Sequence, residues 1–325
     1  MNRPIKNVTV KRGRRFKNIH PHPEHGLRDV LRWQLGLGTV EPNYIPSSQL
    51  PPYRPEFSSP SDLTPPVNGQ VRITWIGHST FIIQHRGRNI LTDPIFGNCQ
   101  PVPSSRLRRF APPGVASSAL PEIHDVLISH CHYDHLDAPT IKALGAAPHY
   151  WLPEGLSPWF HRRGIRRCRE LAWWQSASLA DGLDIHCVPA QHFAARGPFD
   201  RNHTHWCGWV LRSPERTIYF AGDTGYCPIF KEIGGRFAGF DVSMIPIGAY
   251  RPRWIMQPIH VDPYEAVQIH LDVRSRRSVP CHWGTFRLTD EPPNEPPLVL
   301  QKALAERGLP PEQFCPLRFG ESIVV

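Results

Sequence analysis

From Val71 onward the chain alternates short apolar runs with polar turns. Val71–Ile76 (VRITWI) and Thr80–Ile83 (TFII) read as strands, and His85–Arg88 (HRGR) as a turn. Asn89–Asp93 (NILTD) reads as a strand that ends in an aspartate. Val126–Ser129, Tyr150–Leu152, Ile185–Pro189, Val242–Ile247 and Ser278–Cys281 are further strand-length runs. Helical spacing occurs over Ala138–Leu144, Ser157–Arg163, Pro263–His270 and Pro297–Arg307. Trp209–Arg212 (WVLR), the turn Ser213–Arg216 (SPER) and Thr217–Asp223 (TIYFAGD) echo the earlier strand, four-residue turn, strand and aspartate. This echo predicts two related β-rich halves. Strands come in blocks with helices between them, which favours two sheets covered by helices over a strictly alternating doubly wound sheet.

Residues 1–66 have a different texture and read as an extension of a domain spanning 67–325. Lys11–Lys17 (KRGRRFK) is a basic cluster. Leu27–Leu37 (LRDVLRWQLGL) has the apolar spacing of one short amphipathic helix. Pro51, Pro52, Pro55, Pro60, Pro65 and Pro66, with Ser58, Ser59 and Ser61 among them, forbid regular structure. The segment is expected to wrap over the main domain or to link to it. Asp262 stands three residues before Glu265, the spacing of a capping box for the helix from Pro263.

Composition narrows the class. With 325 residues, 40% hydrophobic and 20% charged, the chain can bury a sizeable core. No run approaches the roughly 18–20 apolar residues of a membrane span. The basic N-terminus has no apolar stretch behind it, so no classical secretory leader is expected. Eight scattered cysteines form no CxxC pair and read as reduced thiols, which suits a cytoplasmic protein. The net charge of +9 rests on arginine, since the lysines are Lys6, Lys11, Lys17, Lys142, Lys231 and Lys302. Arginine suits bidentate contact with phosphate or carboxylate. Eighteen histidines exceed an ordinary share several-fold and direct the search toward metal.

His130-Cys131-His132-Tyr133-Asp134-His135 follows directly on the strand VLIS. On an extended segment His130 and His132 project the same way, so two imidazoles can chelate one ion. Asp134 and His135, where the chain turns, can reach a second ion. Cys131 points opposite to its neighbours and reads as a small buried residue. His192 in PAQHF, Asp223 in FAGD and His282 in CHW are single candidates at later strand ends. The set fits two ions sharing one aspartate. His130, His132 and His192 would hold the first, Asp134, His135 and His282 the second, and Asp223 would bridge. Imidazole and carboxylate suit zinc, with manganese, nickel or iron also compatible. His78 (WIGHST) reads as a supporting residue. His20, His22, His25, His203 and His205 read as surface or loop, with the last two candidates for the rim.

The HxHxDH run with later His, Asp and His resembles the metallo-β-lactamase superfamily. ISHCHYDHLD, PAQH, FAGDTGYC, IPIGAY, HVDPYEAVQIH and HWGTF, in this order, are similar to the N-acylphosphatidylethanolamine-hydrolysing phospholipase D family. The likeness covers residues 68–325, and weakly 15–33. It implies an α/β fold, the αββα sandwich of two β-sheets flanked by helices. It also implies two zinc ions and hydrolysis of N-acylphosphatidylethanolamine-like lipids to N-acylethanolamine and phosphatidic acid by a metal-bridging hydroxide. His260 in Ile259–Asp262 matches a functional histidine of the family and is nominated to protonate the leaving alkoxide. The catalytic residues are then His260 and Asp134, and Tyr133, Tyr250, Arg251 and His260 are the expected substrate contacts. The expected partners are a phospholipid substrate and, peripherally, an anionic membrane surface. No nucleic acid is expected, because no added substrate-binding arm of the size nucleases carry is visible. A homodimer is left open. A lactonase or a soluble or cyclic phosphodiesterase would keep every ligand, whereas an intact ligand set argues against a non-catalytic lipid-binding protein.

Overall fold

The structure is a computed structural model that describes residues 15–39, 41, 44–58, 63–99, 107–179 and 181–325. The elements run in the order α1 (Leu27–Gln34), β1 (Val71–Gly77), β2 (Thr80–His85), β3 (Arg88–Thr92), β4 (Asp125–Leu127), α2 (Ala138–Leu144), β5 (His149–Pro153), α3 (Ser157–His161), β6 (Cys168–Leu171) and β7 (Ser176–Ser178). There follow β8 (Asp184–Val188), β9 (Gly208–Arg212), β10 (Thr217–Phe220), α4 (Ile229–Phe237), β11 (Val242–Pro246), α5 (Arg253–Met256), α6 (Pro263–Asp272), β12 (Ser278–Cys281), α7 (Glu295–Glu306) and β13 (Ser322–Val324). One sheet has the order β13-β1-β2-β3-β4-β5-β6, the other β12-β11-β10-β9-β8-β7.

Side-chain alternation builds three apolar layers. Val71, Ile73 and Trp75 of β1, Phe81 and Ile83 of β2, and Ile90 of β3 meet Ile185, Trp209, Ile218 and Met244 between the sheets. The intervening residues Ile82 and Leu91 face Ile141 of α2 and Phe160 of α3. On the far side, Val210, Tyr219 and Ile245 pack on Phe230 of α4, Val267 of α6 and Leu300 of α7. Helices therefore cover both outer faces of a two-sheet sandwich. The capping box forms: the Glu265 N–H donates to Asp262 Oδ1 at 2.9 Å, and the Asp262 N–H donates to Glu265 Oε2 at 3.3 Å.

The echo in the sequence corresponds to the β2–β3 and β9–β10 hairpins. Each is antiparallel, and each is continued by parallel strands, β4 to β6 in one sheet and β11 and β12 in the other. β8 runs antiparallel to β9 and hence in the direction of β10. The C-terminal ends of β3 and β4, and of β8, β10 and β12, therefore gather the residues that follow them: Asp93, His130, His192, Asp223 and His282.

Several boundaries differ from expectation. α1 stops at Gln34 because Gly36, at φ +68°, turns the chain, and it does not continue to Leu37. β10 ends at Phe220, which leaves Asp223 on a loop. α7 starts two residues early, with prolines in its first turn, where no backbone donor is needed. β6, β7, β13, α4 and α5 carry no clear period. α4 contains Gly234 and Gly235, and the three-residue strands are defined by their partners.

The N-terminal segment lies on the domain. Phe16 is buried, its ring 4.3 Å from that of His205, and its N–H donates to the Asn202 carbonyl at 2.8 Å. One buried Phe contributes about 1.5–3 kcal/mol. Phe57 bridges to Phe319. Most of the basic cluster, Lys11 to Arg14, lies outside the described residues. Among the described residues, no helix is long and apolar enough to cross a membrane.

Candidate metal centre

Three ring nitrogens converge after β4 and β8. His130 Nε2 lies 2.8 Å from His132 Nδ1, which lies 3.2 Å from His192 Nε2. Burial pushes His130 well below the ordinary histidine range, His132 to about 3 and His192 to about 4. All three imidazoles are therefore neutral at pH 7, the state in which histidine binds a metal. His192 is fixed from both sides. Its Nδ1 is 2.8 Å from the Ile259 carbonyl, and the Asn18 amide bonds both its backbone N–H and its carbonyl, at 3.1 and 2.8 Å.

The second group faces the first. Asp134 Oδ2 lies 3.3 Å from both His135 Nε2 and His282 Nε2. Asp223 Oδ2 lies 3.1 and 3.0 Å from the same two nitrogens, and 3.8 and 3.9 Å from His130 Nε2 and His192 Nε2. Asp223 thus stands between the two sets. His282 is reached through a close chain crossing: a Cβ added at Gly248 would lie 2.0 Å from the His282 carbonyl oxygen.

Charge decides what this cluster can hold. Burial alone would lower His135 and His282, but Asp223 and Asp134 override it, with Asp93 adding to the effect on His135. His135 is held well above the usual range and His282 at about 9. Burial alone would raise Asp134 and Asp223, but the imidazoles hold both well below the carboxylate range. Two buried carboxylates therefore recruit protons onto two histidines. Asp223 Oδ1, His135 Nε2 and His282 Nε2 are buried without a hydrogen-bond partner. A buried carboxylate oxygen without a donor and a demand for positive charge are what divalent cations satisfy. The residues fit two such ions: His130, His132 and His192 for one, Asp134, His135 and His282 for the other, with Asp223 shared.

Two supporting residues complete the cluster. Asp93, at the end of β3, accepts from His135 Nδ1 at 2.7 Å and from the Ser129 N–H and Oγ at 2.7 and 2.5 Å. Ser129 Oγ in turn lies 2.9 Å from His130 Nδ1. Asp93 thereby orients ligands of both groups, as outer carboxylates do in metal sites. Sequence reasoning noted Asp93 only as a strand end; its signal was the hairpin echo with Asp223. His78 Nε2 lies 2.9 Å from Asp134 Oδ2, and the His78 carbonyl accepts the His282 N–H at 3.1 Å. His78 therefore braces two ligands of the second group.

The expected substrate contacts separate. His260 lies at the cluster, its Nδ1 4.0 Å from Asp223 Oδ2 and its ring 5.0 Å from that of His192. Burial holds it well below the ordinary range. Tyr133 turns away: its hydroxyl donates to the Arg196 carbonyl at 2.7 Å, and its ring lies under the Arg196 guanidinium. Tyr250 is fully buried and donates to Glu295 at 2.6 Å. Arg251 is buried against Glu295 and donates to the Glu41 carbonyl. The last three brace loops and do not line the cavity over the metal cluster. His205 is buried between Phe16 and Trp173, away from the rim.

That cavity, about 260 Å³, has His132, Asp134, Asp223, His260 and His282 at its floor. Phe193, Ile255, Met256, Ile259 and Leu288 give it an apolar wall. The opposite wall comes from the N-terminal arm, through His22, His25, Val30 and Trp33. His22 and His25, expected at the surface, are thus cavity residues. Their position follows from the Phe16 and Asn18 anchors, which no local pattern announces.

Comparison with known proteins places these features in context. The beta-lactamase superfamily domain matches residues 88–283. N-acyl-phosphatidylethanolamine-hydrolyzing phospholipase D 1 of Caenorhabditis elegans is 37% identical over 263 residues, covering 76% of this chain and 74% of that protein. The mitochondrial N-acyl-phosphatidylethanolamine-hydrolyzing phospholipase D of Saccharomyces cerevisiae is 31% identical over 251 residues, and the chain spans 54% of its length. Among solved structures, Igni18, a metallo hydrolase from Ignicoccus hospitalis, superposes with a TM-score of 0.60 at 23% identity, covering 79% of this chain and 98% of that one. At that identity the superposition speaks for the fold alone.

Proposed function

This chain belongs to the metallo-β-lactamase superfamily, in its N-acylphosphatidylethanolamine-hydrolysing phospholipase D-like branch, and from that premise we propose that it is a binuclear zinc phosphodiesterase of phospholipase D type. It is a metal-dependent hydrolase. The proposed reaction releases N-acylethanolamine from N-acylphosphatidylethanolamine-like lipids and leaves phosphatidic acid. The observation that carries this reading is the pairing of two ligand groups around Asp223 with a largely apolar cavity directly above them. Such a site suits an amphiphile whose anionic centre sits at the floor and whose chains lie along the wall.

Two bound ions would supply an activated water near neutral pH and neutralise the phosphoryl oxygens. The chain's own residues do the rest. His130, His132 and His192 would hold one ion as neutral ligands, and His135 and His282 would have to be deprotonated to hold the other. His260 is neutral in its buried setting, so its ring starts as a proton acceptor. The proton it takes can then pass to the leaving alkoxide. Phe193, Ile255, Met256 and Leu288 keep water from the acyl chains. Zinc suits this nitrogen and oxygen set, and manganese, nickel or iron would also fit.

Peripheral contact with an anionic membrane surface belongs to the same proposal. α1 turns Val30 and Trp33 to the cavity and leaves Leu27 at 74% exposed, with Leu31 also outward and Leu35, just past its end, at 71%. Arg28 and Arg32 lie exposed on the same helix. An apolar stripe with basic neighbours is the pattern of interfacial helices.

Hydrolysis in ¹⁸O water tests the reaction. Label is expected in phosphatidic acid and absent from the ethanolamide, and added ethanol should yield no phosphatidylethanol. Label in the ethanolamide, or transfer to ethanol, would overturn the mechanism. An inert lipid with a rapidly opened lactone would overturn the substrate class.

A further inference from the structure

The cavity wall contains one arginine that nothing above employs. Arg201 lines the cavity with its guanidinium 4.3 Å from the centre of the Phe193 ring. Phe193 in turn lies 4.5 Å, ring to ring, from His132. Arg201 is therefore one aromatic ring away from the first ligand group. Among the described residues its guanidinium makes no hydrogen bond and no ion pair; exposed Glu24 acts on it from farther away. A half-buried arginine without a carboxylate partner among the described residues, on the wall of a cavity whose floor fits two cations, is an unfilled bidentate donor.

The loop that presents Arg201 is tied on both sides of it. The Asp200 carboxylate accepts from the Arg196 N–H at 3.0 Å and from the Gly197 N–H at 2.8 Å. The Asn202 N–H donates to the Ala194 carbonyl at 2.6 Å, and Asn202 Oδ1 accepts from the Ala194 N–H at 3.2 Å. The Asn202 carbonyl also receives the Phe16 N–H. Both flanking residues are spent on holding the loop, while the side chain between them lies on Phe193 and faces the cavity with no hydrogen bond among the described residues. Preorganised backbone with an uncommitted charged tip is how a ligand-binding residue is built.

We propose that Arg201 is a substrate-contacting residue that grips an oxygen of an anionic phosphodiester at the cavity wall, so that the site selects charged diesters over neutral esters. The inference rests on the phosphodiesterase reading above and adds a specificity residue to it. The phosphate monoester product, which keeps those oxygens, should use the same contact.

Wild-type, Arg201→Gln and Arg201→Lys holoenzymes would be compared on a soluble short-chain N-acylphosphatidylethanolamine. Competitive inhibition by dihexanoyl phosphatidic acid and metal content would be measured alongside. The Gln variant should raise KM and the inhibition constant together by about 10- to 100-fold, the scale of a charge-assisted hydrogen bond. Its kcat should change much less, and its metal content should equal that of wild type. The Lys variant should recover part of the loss. An active wild type whose KM and inhibition constant are unmoved in the Gln variant would overturn this proposal alone, and so would a loss traced to lost metal. A wild type inert on the diester would overturn the phosphodiesterase reading, and this inference with it.

Discussion

The floor and the wall of the cavity are built by different means. The metal ligands of the floor lie on loops that follow strand ends, and three of them have a second group behind them: Asp93 behind His135, His78 behind Asp134, Ile259 behind His192. The arm wall rests on a few anchors, chiefly Phe16 and the Asn18 amide, and leaves leucines in solvent. The difference separates two tasks. Chemistry demands atoms held within tenths of an ångström on rigid elements, whereas recognition of a long amphiphile tolerates a looser, partly exposed surface.

The largest effect should come from breaking the floor at its shared point. Asp223→Ala is expected to reduce activity to the uncatalysed background and to lower metal content in both groups, checked by elemental analysis of the folded variant. His260→Ala should leave metal content intact and lower kcat by roughly 10²–10⁴. That loss should shrink for a nitrophenyl diester, whose leaving group needs no proton; an equal loss on both substrates would reassign His260 to binding. Asp93→Asn should weaken metal affinity by about 10- to 100-fold, the usual cost of removing an outer carboxylate.

Proton linkage sharpens the same contrast without mutation. His282 is raised from 6.5 to about 9 in the metal-free fold. Its contribution is fully present below about pH 6.5 and is lost as pH rises through about 9. Metal-free protein should therefore lose stability across that window, and metal-loaded protein should not, as denaturant melts at several pH values would show. The smallest effect belongs to the wall. Replacing Leu27 and Leu31 of α1 and the adjoining Leu35 by serine should weaken binding to anionic vesicles while turnover of a water-soluble diester stays within about twofold. Unchanged vesicle binding would make α1 a structural wrap and nothing more.

Legibility in the sequence follows the same division. The HxHxDH run and the isolated His192, Asp223 and His282 could be read because each ends an apolar run, and the hairpin echo foreshadowed the two-sheet arrangement. Asp93 was visible in that echo but carried no histidine neighbour to mark it. Tyr133, Tyr250 and Arg251 misled because proximity in sequence to a ligand or a motif says nothing of side-chain direction. Tyr250 and Arg251 instead meet Glu295 at the head of α7, forty-odd residues away. His22, His25 and Trp33 could not be found by pattern, since the arm reaches the cavity only through long-range bonds such as Asn18 to His192. Arg201 was one arginine among many until the fold showed its neighbours committed and its guanidinium, stacked on Phe193, without a hydrogen bond among the described residues.

The central claim is that the floor holds two ions around Asp223. Elemental analysis of protein purified without chelator tests it most directly. About two divalent ions per chain are expected, falling toward the first group's share when His282 is replaced by alanine. A well-folded preparation that holds no more than one ion per chain would contradict it.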